Sequence, residues 1–416
     1  MTICAVIETI ARAHPPKAEM SRRFAPASLM LGNFVIGTSI LAPTGMLPEL
    51  SSAFDVSVRQ ASLLVTLGAL VLCIGTPLIS WSTSHVDRRV LLSGSLALVS
   101  AAQLAAASTD SFWVLVATRL VMVAAAAPFT PQAAGAVGLL VPAERRASTI
   151  SFLFLGWSLS AALGIPLVAT FAHRFGWAAA YVFTSALGAA TSLLVAWRLP
   201  RALHTPPVAL SAWLELVRTP AIRLLLLLTV LLTAGQFMVF TFVGPLLARM
   251  AHASPEIIGL VFALFGLTGF LGNVTAARVV GSWGPYSTAR AAVLSMLTGV
   301  TIWAFGAGSL AWMATGAAIW GLGFASSNSM QQARLVAAAP LLGGAAVALN
   351  SSSLYVGQAM GSALGGVLFE RGLDRWLGYG SLALMSLALL VLTATRPEAR
   401  SSGLPAAAPE LGQRPA

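Results

Sequence analysis

The sequence predicts an all-α integral membrane protein: twelve transmembrane helices in two six-helix pseudo-repeats, with both termini cytoplasmic. Composition, the spacing of apolar stretches and the distribution of arginine carry that expectation. Hydrophobic residues fill 57% of 416 positions, charged residues only 9%, and the mean hydropathy is +0.84. A chain with so little polar surface is not a water-soluble domain. A span needs about 20 mostly apolar residues to cross roughly 30 Å of hydrocarbon, and such stretches recur along nearly the whole chain.

Apolar stretches between charged or Pro/Gly punctuation place the first six spans near 28–49, 59–82, 90–108, 112–138, 148–171 and 177–197. The second six fall near 222–248, 256–279, 288–307, 310–335, 345–369 and 376–395. The organisation that follows is a tail at 1–26, one half at 27–198, a polar linker at 199–221, a second half at 222–396, and an Ala/Pro-rich tail at 397–416 expected to be disordered. The first apolar run, Ile3 to Ile10, carries Glu8 and lacks the basic start and small-residue cleavage site of a signal peptide. Met20, followed by Ser21, Arg22 and Arg23, reads as an alternative start.

Orientation comes from basic residues, which are retained on the cytoplasmic side. With the N-terminus inside, 18 of the 24 Lys and Arg residues fall in inner segments and five outside, namely Arg59, Arg174, Arg249, Arg371 and Arg375. Arg119 alone lies within a span. The halves also match at an offset near 200. Gly156, Ser160 and Gly164 correspond to Gly357, Gly361 and Gly365, Gly75 to Gly272, and Trp113 to Trp312. Parallel six-helix repeats are a transporter architecture in which the solute sits near the midplane between the halves.

Several classes are disfavoured. The formal charge of +11 is scattered singly and in pairs between apolar stretches rather than gathered on one face, so topology explains it and a nucleic-acid partner is not expected. Cys4 and Cys73 are too few for a disulfide framework or a metal cluster, and the five histidines lie in or near loops, so neither a metal nor another cofactor is expected. An enzyme would need a nucleophile, a carboxylate pair or a histidine cluster at membrane depth, and none is apparent.

Residues along the chain resemble the drug:proton antiporter-type branch of the major facilitator superfamily, which contains sugar-efflux, purine-efflux and chloramphenicol-resistance transporters. The carriers are GTSILAPTGMLPELSSAFDVS from Gly37, GTPLISWSTSHVDRR from Gly75, RLVMVAAAAPF from Arg119, VPAERRASTISFLFLGWSLSAALGIPL from Val141, RFGWAAAYVF from Arg174 and FTFVGPLLARM from Phe240. The resemblance covers roughly residues 24–396 and implies a monomeric inner-membrane exporter of a small organic solute, such as a drug, sugar or nucleoside, working by alternating access with or without exchange for protons. The same fold supports uptake in other branches. Three departures stand out. Ser84 and Asp87 replace the usual Asp and Gly before Arg88 and Arg89, the Gly37-Thr38 pair is followed by Ser39, Ile40 and Leu41 without an acid, and Arg119 is not followed by the usual Gln-Gly.

Intramembrane ionisable residues are usually functional, so Arg119 is expected either to serve the outer half of a cavity or to tether helices. Neutral polar and aromatic side chains suit an apolar cavity with a few orienting hydrogen bonds. The candidates are Asn33, Thr38, Ser39, Trp157, Gln236, Phe237, Phe240, Thr241, Asn328, Gln331, Asn350, Tyr355 and Gln358. Helix-to-helix hydrogen bonding is the alternative role for such residues. Gly75, Asp87, Arg88 and Arg89 are expected at an inner gate, and Gly156, Gly164, Pro166, Gly357, Gly361 and Gly365 at a moving seam between the halves. All thirteen acidic residues lie in tails, loops or span ends. Proton coupling, if present, falls to Glu49, Asp110 or Glu370 in the outer vestibule.

Overall fold

The computed structural model describes residues 17–83, 85–204, 216–339 and 343–395, and the regular structure among them is helical, without strands. In hydrocarbon no water is available to backbone groups, so each apolar run satisfies its own amides as a helix. In chain order the helices are α1 (Lys17–Gly45), α2 (Leu47–Ala53), α3 (Val58–Ser82), α4 (Arg88–Ala107), α5 (Phe112–Ala126), α6 (Phe129–Leu140) and α7 (Ala143–Leu159). After a π-helical turn at Ser160–Gly164 come α8 (Ile165–Phe175), α9 (Trp177–Arg198), α10 (Pro220–Phe240), α11 (Val243–Ala251), α12 (Pro255–Phe305), α13 (Leu310–Ala338), α14 (Gly343–Glu370) and α15 (Asp374–Ala394). Nine helical segments of the described chain are long and apolar enough to cross a membrane, counting α12 once. Residues 1–16, Ser84, residues 205–215 of the linker and the C-terminal tail lie outside the described residues.

The breaks have local causes. A single rod of 51 residues would run about 77 Å at 1.5 Å per residue, far more than one bilayer. Accordingly α12 turns at Gly284, whose φ of 74° favours glycine, and Pro285 opens its second limb, giving the two spans expected at 256–279 and 288–307. The span expected at 112–138 is two helices, because Pro128 between α5 and α6 has no N–H to continue the ladder. The span expected at 148–171 is interrupted by the π turn, where the Ile165 N–H reaches back to the Ser160 carbonyl just before Pro166. The expected spans at 28–49 and 222–248 likewise end in separate short helices, α2 and α11.

The helices before and after the linker form two groups. Within the first, α1 packs on α7 and α9, and α4 on α5 and α9; within the second, α10 packs on α14 and α15, and α12 on α13. The groups meet along α3 with α14, and along the π turn with its flanks α7 and α8 against α12. The short helix α11 also touches α1 and α2 across the divide.

Burial is lopsided along this divide. One apolar cluster joins both groups at the end carrying α2 and α11, with Leu41, Met46, Leu50 and Leu64 from the first and Phe237, Met238, Phe242 and Phe369 from the second. At the opposite end, where α1 begins and α15 ends, the buried apolar residues of the two groups fall in different clusters: one of the first group around Leu29, Leu96 and Phe129, and in the second group one around Leu225, Leu335 and Ala346 beside Met330 and Leu392 of the shared cluster. Helix α1 is partly exposed at Met30, Leu31 and Phe34 and then buried from Val35 to Thr44. Its counterpart α10 is partly exposed as far as Leu231 and buried beyond it. The divide is therefore sealed at the α2 end and loosened at the other.

Candidate functional site between the helix groups

Pro43 sets the geometry of α1. Its missing N–H leaves the Ser39 carbonyl without the intrahelical donor it would otherwise have. Arg119 of α5 fills that gap, donating at 2.6 Å to the Ser39 carbonyl, at 2.6 Å to the Ile40 carbonyl and at 3.3 Å to the Leu64 carbonyl of α3. Ser39 in turn accepts through its hydroxyl from Gln103 of α4 at 2.9 Å. With 3% of its surface exposed and its fork occupied by carbonyls, Arg119 ties α1, α3 and α5 together rather than facing an open cavity. Of the two roles expected for it, the geometry matches the tether.

Nearer the open end, each group carries a polar network on corresponding helices. In the first, Asn33 donates to the Leu153 carbonyl at 3.1 Å and accepts from Thr130 at 2.8 Å, and the Trp157 indole donates to Thr130 at 3.3 Å. In the second, Asn350 accepts from Thr229 at 2.7 Å and donates to Asn328 at 3.0 Å, while Gln331 donates to the Leu225 carbonyl at 3.1 Å and accepts from Arg334 at 2.9 Å. Arg334 continues to Thr395 at the end of α15. Asn33, Asn350 and Gln331 are fully buried network members, whereas Trp157, Thr130, Asn328 and Tyr355 are partly exposed. Tyr355 of α14 packs on the apolar cluster of the first group, alongside Phe34 and Trp157.

Other candidates lie in the sealed part. Thr38, Thr241 and Gln236 are buried there, Gln236 against the Met296 sulfur, and Phe237 and Phe240 belong to an aromatic cluster that adds Phe262, Phe265, Trp320 and Phe324. Gln358 is also buried. These candidates are all buried, Phe237 and Phe240 in the apolar cluster the two groups share.

The glycine ladders also sit elsewhere than expected. A Cβ on Gly156 would strike the Met30 carbonyl at 2.4 Å, and one on Gly164 would strike Thr38, both on α1 of the same group. Gly357, Gly361 and Gly365 press on the α10 backbone, also within their own group. They close helices within each group, not across the divide. The cross-group contacts are made by Gly266 of α12, whose Cβ would lie 2.2 Å from the Ala162 nitrogen in the π turn, and by Gly366 of α14 against Ser62 and Arg59 of α3. Thr66 and Ser362 share a 2.6 Å hydrogen bond across the same α3–α14 seam. Sequence reasoning missed these: spacing by four marks a small-residue face without saying which helix it meets.

At the expected inner gate, Asp87 caps α4, accepting from the Arg89 and Val90 amides, and its second oxygen accepts from the Leu203 amide at 3.1 Å. Arg88 reaches the Thr83 carbonyl at 3.2 Å, Arg89 is partly exposed, and Gly75 approaches Ile79 and Ala127 of the first group. Asp87 thus anchors the start of the linker to α4. At the α2 end, Glu370 pairs with Arg59 at 2.5 Å, and His173 lies 3.8 Å from Glu256, each pair crossing the divide. Asp110 is exposed. One Glu49 oxygen is buried with no hydrogen-bond partner, and burial pushes this carboxyl above the usual carboxylate range, opposed by its own backbone amide and by His173. Among the described residues no cluster of His, Cys, Asp or Glu could hold a metal ion.

Apolar spans in two groups, sealed together at the α2 end and edged with polar residues nearer the other, have the architecture of a multi-pass membrane transporter. The chain belongs to the Major Facilitator Superfamily, whose family model matches residues 29–341 and 225–414. Similar proteins include the inner membrane transport protein YdhP of Escherichia coli (strain K12), 24% identical over 370 residues that cover 88% of this chain and 94% of that one. A probable sugar efflux transporter of Helicobacter pylori (strain G27) is 24% identical over 360 residues, covering 86% of this chain and 92% of that one. The fold matches the human organic anion transporter MFSD10 with a TM-score of 0.70 at 17% identity, over 91% of this chain and 100% of that one. It matches an inward-facing, unoccupied bacterial homolog of the human lysosomal transporter Spinster with a TM-score of 0.69 at 16% identity, over 92% and 97% of the two chains.

Proposed function

We propose that this protein exports a small organic solute across a bacterial inner membrane by alternating access. The moving bodies are the halves at 27–198 and 222–396, carrying twelve spans in all, with both termini in the cytoplasm. One observation carries the reading: the two groups share a continuous apolar cluster at the α2 end and fall in different clusters at the end where α1 begins. With arginine concentrated at the latter end, that asymmetry is an inward-open arrangement. Efflux draws support from the sugar efflux relatives, and the inner membrane from the YdhP relatives.

Protons enter this reading through Glu49. Its carboxyl is buried in the sealed α2 end, so protonation there favours the sealed arrangement and sets the bias between states. The test is solute accumulation in an efflux-deficient strain. Expression should lower intracellular accumulation of at least one compound from a panel of drugs, sugars and nucleosides, and inactivation of the seam should restore it. Raised accumulation on expression would contradict export, and an unchanged panel would contradict transport of these classes.

A further inference from the structure

The space between the groups has a lining without charge. On the partly exposed stretch ahead of the seal stand Phe34, Thr130, Trp157, Asn328, Ser352 and Tyr355. Three are aromatic and three carry neutral hydrogen-bonding groups, and the Ser352 hydroxyl oxygen is itself buried without a partner. No Asp, Glu, Lys or His occupies the interior of a described span. The three buried arginines of the described residues are already engaged: Arg88 holds the Thr83 carbonyl at the start of α4, Arg119 holds three backbone carbonyls, and Arg334 holds Gln331 and the end of α15. None of the three presents a free fork to a solute.

A charged solute entering such a space would shed water with no opposite charge to replace it, a desolvation cost of several kcal/mol per ion in protein interiors. An uncharged solute loses only neutral hydrogen bonds, which Thr130, Asn328 and Ser352 can replace, while the aromatic rings offer flat faces to a ring. We infer that the solute is an uncharged, ring-bearing molecule with hydroxyl or amide groups, and that this protein discriminates against organic cations and anions alike. The inference rests on the transport reading for the location of the site.

The test uses the purified full chain and three probes sharing one ring: para-nitrophenyl glucoside, para-nitrobenzyl trimethylammonium and para-nitrobenzoate. Binding is read as a rise in thermal unfolding temperature in detergent, and transport as counterflow in proteoliposomes. The neutral glucoside should stabilise the protein at millimolar concentration, and the two ions should bind at least tenfold more weakly. Ser352→Asp and, independently, Asn328→Asp should each gain at least tenfold affinity for the trimethylammonium probe. Comparable binding of either ion by the unmodified chain, no binding of the glucoside, or no gain in either folded aspartate variant would overturn the inference. Binding of the glucoside without counterflow would sink the transport reading and leave the charge discrimination standing.

Discussion

Gly266→Ala isolates the seam between the two helix groups. A methyl group at this position would lie 2.1 Å from the Ala162 Cα, 2.2 Å from its nitrogen and 2.6 Å from the Ala161 carbonyl carbon. Ordinary carbon contacts lie at about 3.5–4.0 Å, so α12 must back away from the π turn by roughly 1.5 Å. Every obstructing atom is backbone, so no rotamer change can relieve the clash. Overpacking of this kind costs about 1–3 kcal/mol, and about 1.4 kcal/mol is a tenfold change in a ratio of states. If the contact tightens in only one state, the cost falls on that state. Gly266→Ala should therefore populate the opposite arrangement about 5- to 140-fold more and slow transport. A cysteine at the buried Ser62 position, in a chain lacking Cys4 and Cys73, reports opening of the α2 end through its rate of maleimide labelling. Gly156→Ala is the control, since its clash with the Met30 carbonyl at 2.4 Å lies within one group; it should lower thermal stability and leave labelling unchanged. Equal labelling in Gly266→Ala and the unmodified chain, or faster labelling in Gly156→Ala, would refute the assignment of the seam.

Three further outcomes follow from particular contacts. Arg119→Gln should destabilise the protein by about 1–3 kcal/mol for each carbonyl left without a donor; Arg119→Lys should rescue only part because an ammonium cannot fork across the Ser39 and Ile40 carbonyls; and Pro43→Ala should soften the loss by returning an N–H to Ser39, all read by thermal unfolding. The Arg59–Glu370 pair has both side chains nearly half exposed, so Arg59→Glu should shift Ser62 labelling only modestly, in line with about 0.2–1 kcal/mol for exposed pairs, and Glu370→Arg in the same chain should reverse the shift. Glu49 has its carboxyl pushed up by burial in the sealed end, so that end binds a proton more tightly than an open one does; acidifying the outside through the range just above the usual carboxylate value should slow labelling at position 62 more than labelling of a cysteine at the exposed Asp55, which reports the loss of thiolate alone, Glu49→Gln should remove that excess, and an excess persisting in Glu49→Gln would assign it to another group.

Much of the fold is legible in the sequence because hydrocarbon enforces it. Apolar runs of span length can only become helices there, and Gly284-Pro285 and Pro128 mark breaks through backbone geometry alone. The Asp87 cap is also local, since an aspartate one residue before a helix meets free amides. Tertiary pairing is what the sequence withholds. Pro43 announces an orphaned carbonyl, but nothing linear says that Arg119, 76 positions later in the chain, supplies the donor. The ladder at Gly357, Gly361 and Gly365 predicts close approach, and the helix it approaches is α10 rather than one in the other group. The neighbouring Gly366, offset by one residue and so by about 100° around the helix, faces α3 instead. The polar candidates divide in the same way. Trp157, Asn328 and Tyr355 stand at the space between the groups, while Gln236 and Phe240 are sealed into the closed end, because depth along a span relative to the seal is set by the packing of the halves.

The central claim is that access alternates between the two ends, and paired distances across the divide test it most directly. Spin labels at Asp55 and Arg371 span the α2 end, and labels at Ser82 and Val336 span the end where α1 begins; all four positions are exposed. Without solute the first pair should show a single short distance and the second pair a longer, broader distribution. On adding a solute identified by the accumulation assay, or on introducing Gly266→Ala, the first distance should lengthen as the second shortens. Two distances that stay fixed through turnover, or that move in the same sense, would contradict alternating access in this protein.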